Sequence, residues 1–75
     1  MSETETIDAV GLLCPLPVLK TRKRLSALEI GERIAVTTDD PAAVVDMPHY
    51  CQESGHALIE HRAEGAAMHW VIEKR

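Results

Sequence analysis

The sequence predicts a two-layer α/β sandwich, a four-stranded mixed sheet with two helices on one face. Three observations lead there. Short alternating segments and helical stripes follow one another in the order β-α-β-α-β-β. The two helical patterns each open on a proline, Pro15 and Pro41, at a position where a helix tolerates one. The last third reads as a hairpin around Glu64-Gly65. Two helices cover only one face of four strands, and a right-handed crossover makes the first two strands parallel with the first helix on that face. With 75 residues and 45% hydrophobic content, the chain is expected to form one domain over residues 1–75.

Residues 5–10 alternate as a half-buried strand, with Ile7 and Ala9 on the inward side. Residues 15–28 form the first helix, its buried stripe made of Val18, Leu25 and Leu28 flanked by Leu19, and a turn containing Gly31 closes it. Residues 33–38 are the second strand, with Ile34 and Val36 inward. Asp40 is then expected as N-cap and Pro41 as the first helical residue, with Val44, Met47 and Cys51 on one face. Pro48 should split that helix near Asp46 or Met47, and Gly55 should end it.

In the hairpin, 56–63 and 66–74, a loop at Glu64-Gly65 would pair His61 with Met68 and Ile59 with Trp70. Ala57, Ile59, His61, Met68, Trp70 and Ile72 would then meet the helices. Leu58, Glu60, Arg62, Ala67, His69, Val71 and Glu73 would face water. His61 is expected as a hydrogen-bonded core residue, and His69 as a cross-strand partner of Glu60.

Composition excludes several classes. The net charge of −4 and the shortage of aromatics do not favour a nucleic-acid binder. No apolar run approaches membrane-spanning length, and Met1-Ser2-Glu3-Thr4-Glu5 is unlike an export or transit signal. Two cysteines make no disulfide scaffold and fit a reducing compartment, so a cytoplasmic protein is expected. His49, His56, His61 and His69 show no ligand spacing converging with Cys14, so no metal is expected.

The chemistry-bearing stretch is Gly11-Leu12-Leu13-Cys14-Pro15-Leu16-Pro17. Cys14 falls where a strand stops and a helix begins, and is expected at the N-cap with Pro15 as the first helical residue and Pro17 in the first turn. The positive end of the helix, with the Leu16 amide foremost, should favour the thiolate and lower the thiol pKa. A dithiol redox site would need a second cysteine at position 17, which is Pro17. A lone thiol of this kind suits a covalent passenger that a partner's thiolate removes. Cys51 shares a face with Val44 and Met47 and reads as core filling. It should lie about 15 Å along the helix axis from the level of Cys14, too far for a disulfide.

Gly11 to Pro17, Asp39-Asp40-Pro41 and the β-α-β-α-β-β order together resemble the TusA/SirA family of small bacterial sulfur-carrier proteins, over residues 6–74. The resemblance implies a cytoplasmic sulfurtransferase in which Cys14 accepts persulfide sulfur from a cysteine desulfurase or rhodanese-like donor and passes it to an acceptor protein. It also implies no cofactor beyond that transient persulfide. The end use would be tRNA 2-thiouridine, sulfur oxidation or cofactor synthesis. Leu13 and Leu16 are apolar where the best-known member has charged residues, which bears on the choice of partners.

Pro15, Leu16 and Pro17 support the cysteine in this reading, and Leu13, Lys20, Lys23, Arg24 and Asp40 are the candidate partner-binding residues. The run from Lys20 to Arg24 holds four of the eight basic residues. It is either a solvated helix face or a docking patch for an acidic partner or tRNA. The alternative to a carrier is a non-catalytic module that binds protein or RNA on the open sheet face through Leu58, Val71 and Val10. A thiol-redox regulator is disfavoured by Pro17.

Overall fold

The computed structural model describes residues 4–75, so the acidic start at Met1, Ser2 and Glu3 lies outside the described residues. Six elements follow in the predicted order: β1 (Glu5–Ala9), α1 (Leu16–Ser26), β2 (Arg33–Thr38), α2 (Ala43–Ser54), β3 (Ala57–Glu64) and β4 (Ala67–Glu73). The strands lie in the order β1-β2-β4-β3, with β1 parallel to β2 and the remaining pairs antiparallel. Ile7, Ala9, Ile34, Val36, Trp70 and Ile72 form the sheet's share of a single core. Leu25 of α1 and Ala43, Met47 and Cys51 of α2 close over them. Trp70 carries one polar atom inside, and its indole N–H donates to Thr38 Oγ1 at 2.9 Å. No described helix is long and apolar enough to cross a membrane.

Helix α1 is shorter than residues 15–28. Pro15 is its N-cap, with ψ at 15°, and Leu16 its first residue, so Cys14 stands one position ahead of the cap. The buried stripe is Pro17, Thr21 and Leu25, spaced by four, with Val18 and Leu28 partly buried beside it and Leu19 exposed. Thr21 gives no apolar signal. It is nonetheless buried, because its hydroxyl donates to the Pro17 carbonyl at 2.8 Å and leaves nothing unpaired.

Helix α2 begins at Ala43, because Pro41 and Ala42 form a turn held by Ala43 N–H to Asp40 O (2.9 Å) and Val44 N–H to Pro41 O (3.2 Å). Its inward residues are Ala43, Met47 and Cys51, while Val44, expected inward, is 51% exposed. Pro48 does not split the helix, which runs unbroken to Ser54. The carbonyl that a proline at 48 leaves without a helical donor is that of Val44, on the exposed side, where the loss costs least. Gly55 ends the helix in the left-handed conformation at φ 83°.

The hairpin turns on Gly65-Ala66, one residue later than expected. Gly65 has φ 61° and, among the described residues, no non-glycine has positive φ, the pattern of a type II′ turn. His61 therefore pairs with Trp70 and Ala63 with Met68. A bulge between Leu58 and Glu60 resets the alternation. It sets Leu58 opposite Ile72 and against the core, and leaves Ile59 outside.

Both histidine expectations fail with the register. His61 is exposed, its ring 5.9 Å from that of Trp70. His69 Nε2 meets Glu64 at 2.8 Å instead of Glu60, and its Nδ1 lies 3.1 Å from Thr37 Oγ1. The uncovered face keeps Val71 but loses Leu58 to the core and Val10 to the turn after β1. Thr6, Asp8, Thr37 and His69 make it polar, so two of the three apolar groups behind the interaction-module alternative are gone.

Candidate functional site

Because β1 and β2 run parallel and end level at Ala9 and Thr38, the segments that follow them leave the sheet side by side. The first holds Cys14 and the second holds Asp39 and Asp40. Gly11, at φ 86°, turns the chain in a conformation that disfavours other residues, and Leu12 N–H returns to Ala9 O at 3.2 Å. Two carboxylates then hold the loop: Asp39 Oδ1 accepts Gly11 N–H at 2.8 Å and Asp40 Oδ2 accepts Cys14 N–H at 2.6 Å. Asp40 Oδ1 accepts Ala42 N–H at 3.1 Å, so one side chain ties the cysteine to the turn that opens α2. Asp40, expected as a helix cap and as a partner contact, is a clamp within the chain.

The Cys14–Pro15 peptide bond is cis. Cys14 is exposed and edges a groove of about 370 Å³ between the start of α1 and α2, lined also by Val18, Val45, Asp46, Tyr50 and Glu53. Its thiol pKa is raised, against the expectation from the helix terminus. The Asp46 carboxylate beside it has the largest effect, favouring the protonated thiol, local desolvation adds to this, and the charges of Asp46 and Asp40 complete the effect. The helix end offers little in return. Leu16 N–H, expected to face the sulfur, donates to Leu13 O at 2.8 Å, and Pro15 and Pro17 have no N–H to give.

The basic run is divided by its contacts. Lys20 Nζ donates to the Asp8 carbonyl at 3.0 Å, and Arg24 Nε to Glu5 Oε1 at 3.1 Å, so both are tied to β1. Lys23 is exposed, and Arg22 lines a second groove with Tyr50, His56 and Lys74. Leu13 stands 68% exposed beside the thiol, and Leu16 is exposed with it. Cys51 is 2% exposed, and burial pushes its thiol up as well. Among the described residues no group of three or more His, Cys, Asp and Glu side chains is placed to hold a metal ion.

Reasoning from sequence missed Asp39 and Asp46. The signal for Asp39 was its place just after a strand parallel to the one that feeds the cysteine loop. For Asp46 it was a carboxylate on the first turn of the neighbouring helix, recognisable only once the helix starts at Ala43.

Comparison with known proteins gives a consistent result. The family model described as Sulfurtransferase TusA matches residues 5–74. The chain is 37% identical over 70 residues to the sulfur carrier protein TusA of Allochromatium vinosum, covering 93% of this chain and 92% of the relative. The crystal structure of a SirA-like protein from Desulfitobacterium hafniense superposes with a TM-score of 0.82 at 26% identity, over 93% of this chain and 96% of that one.

Proposed function

Since the chain belongs to the TusA sulfurtransferase family of sulfur carriers, we propose that Cys14 is its carrier residue, loaded as a persulfide and unloaded by an acceptor thiolate. One observation supports this above the others: Cys14 is exposed in a loop fixed by two carboxylates, whereas the chain's other thiol is sealed in the core. A passenger on Cys14 meets no second thiol of its own chain. It therefore stays until a partner takes it.

The scheme needs no resident cofactor, since the sulfur is cargo. A cysteine desulfurase or rhodanese-like protein is the donor class, and a protein thiol on a pathway to thiolated tRNA, oxidised sulfur or a sulfur-containing cofactor is the acceptor class. The free thiols suit the reducing cytoplasm as the place of action. Leu13 and Leu16, exposed on either side of the sulfur, are the first residues such partners would touch.

The test is incubation with a cysteine desulfurase and cysteine, read by intact mass. Wild type should gain sulfur and Cys14→Ser should not. Loading of both proteins to the same extent would refute the assignment.

A further inference from the structure

We propose that Asp46 is the proton carrier of the sulfur-uptake step, taking the proton from Cys14 as that sulfur attacks the donor persulfide and returning it to the donor's departing thiolate. This rests on Cys14 being the loaded residue. The geometry separates Asp46 from the other groups that face the thiol. Asp40 has one carboxylate oxygen on Cys14 N–H and the other on Ala42 N–H, so it is occupied in holding the loop. His49 is turned along α2 toward Glu53, 3.5 Å away, and the Tyr50 phenol, its pKa pushed up by burial, stays protonated and is no base. Arg22 belongs to the adjoining groove on the α1 side. Asp46 lines the same groove as Cys14, and its carboxylate is the group that most favours the protonated thiol. Among the described residues its carboxylate has no ion-pair partner, and its backbone is fixed by Asp46 N–H to Ala42 O at 2.9 Å.

The step balances without an oxidant or reductant. Cys14–SH gives its proton to the Asp46 carboxylate, and its sulfur bonds to the outer sulfur of donor–S–S⁻. The donor S–S bond breaks with its electron pair on the inner sulfur, which takes the proton from Asp46. The products are Cys14–S–S⁻ and donor–SH. One S–S bond is exchanged for another and total charge is unchanged. Such a base is needed because the uncharged resting thiol is a poor nucleophile, whereas a sulfur of high proton affinity is a strong one once the proton has gone.

The experiment sets two rates against each other in Asp46→Asn and Asp46→Glu, with glutathione persulfide as a donor that makes no protein contact. Removing the charge at 46 leaves more thiolate, so Asp46→Asn should react with iodoacetamide at Cys14 several-fold faster than wild type near neutral pH. Its sulfur uptake should nonetheless be at least about tenfold slower, because a lost acid–base catalyst costs about a hundredfold or more and the several-fold gain in thiolate offsets only part of that. Asp46→Glu should recover most of the uptake. The gap between wild type and Asp46→Asn should close as pH rises and the thiol ionises unaided. Uptake that rises with alkylation in Asp46→Asn overturns the proposal. So does a deficit that persists at high pH, or one that Asp46→Glu fails to repair. If instead wild type gains no Cys14-dependent sulfur from a desulfurase, the carrier reading itself fails.

Discussion

Asp40→Ala tests whether the loop clamp is what positions the thiol. It removes two bonds at once, Cys14 N–H to Oδ2 at 2.6 Å and Ala42 N–H to Oδ1 at 3.1 Å. A hydrogen bond to a charged group contributes about 1.5–3 kcal/mol, and exposure places the first at the low end, about 1.5 kcal/mol. The second is longer and water can replace it, so about 0.5–1 kcal/mol is reasonable. The sum, about 2 kcal/mol, falls on the loop and the start of α2 more than on the core. Hydrogen exchange by NMR should therefore show the Cys14 amide losing protection at least tenfold, about 1.4 kcal/mol, while core amides such as that of Ile34 lose less.

Asp40→Asn should recover only part of this. An amide has a single acceptor oxygen, so its NH₂ would meet one of the two N–H groups donor to donor. Sulfur uptake should fall in both variants, more in Asp40→Ala. The reasoning is refuted if Asp40→Ala keeps the protection of the Cys14 amide and the uptake rate of wild type.

Other outcomes follow from the same structure. Thr38→Val keeps the shape but leaves the buried Trp70 indole N–H unpaired, at a cost of about 1–3 kcal/mol. Thermal unfolding should show a fall in Tm of at least about 4 °C. Cys51→Ala should lose about 1 kcal/mol in urea unfolding yet still load sulfur, because its thiol fills core space. Glu73 is held below its ordinary range by hydrogen bonds from Arg33 and Arg75, with their charges adding. Its folded value lies below its unfolded one, so its contribution is present above the ordinary glutamate range and is lost as pH falls through the folded value. Glu73→Gln should therefore flatten the acid-side decline of Tm measured below about pH 4.5.

The strand and helix order was legible because the period of apolar residues changes from two to about four at each boundary, and Ile7, Ala9, Ile34 and Val36 went where alternation sent them. The hairpin was harder. A glycine at 65 serves as the first or the second residue of a two-residue turn, and the one-residue difference moved every cross-strand partner, His61 and His69 included. Leu58 and Ile59 are both apolar, so nothing in their chemistry announces which one the bulge turns inward. Cys14 was legible from its prolines and its place at a strand–helix junction. Its electrostatics were not, because the deciding charges, Asp40 and Asp46, lie 26 and 32 positions along the chain and meet the sulfur only through the parallel pairing of β1 and β2.

That reversal alters what kind of carrier this is. A thiol acidified by a helix terminus would load quickly from any persulfide and would also leave quickly, since exchange is faster when the departing sulfur has a low pKa. Two carboxylates beside Cys14 have the opposite effect on both steps. In the proposed relay the empty thiol would stay protonated and quiet toward stray oxidants, and the loaded one would depart slowly because the thiolate it forms sits beside negative charge. In that relay a proton moved through Asp46 would open either step. During uptake the carboxylate would pass the Cys14 proton to the donor's departing thiolate, and in delivery it would take a proton from the acceptor thiol and pass it to Cys14 as the acceptor sulfur takes the outer sulfur. Under this proposal the sulfur's residence time would be set by how readily a proton reaches Asp46, and through it Cys14, once an acceptor docks.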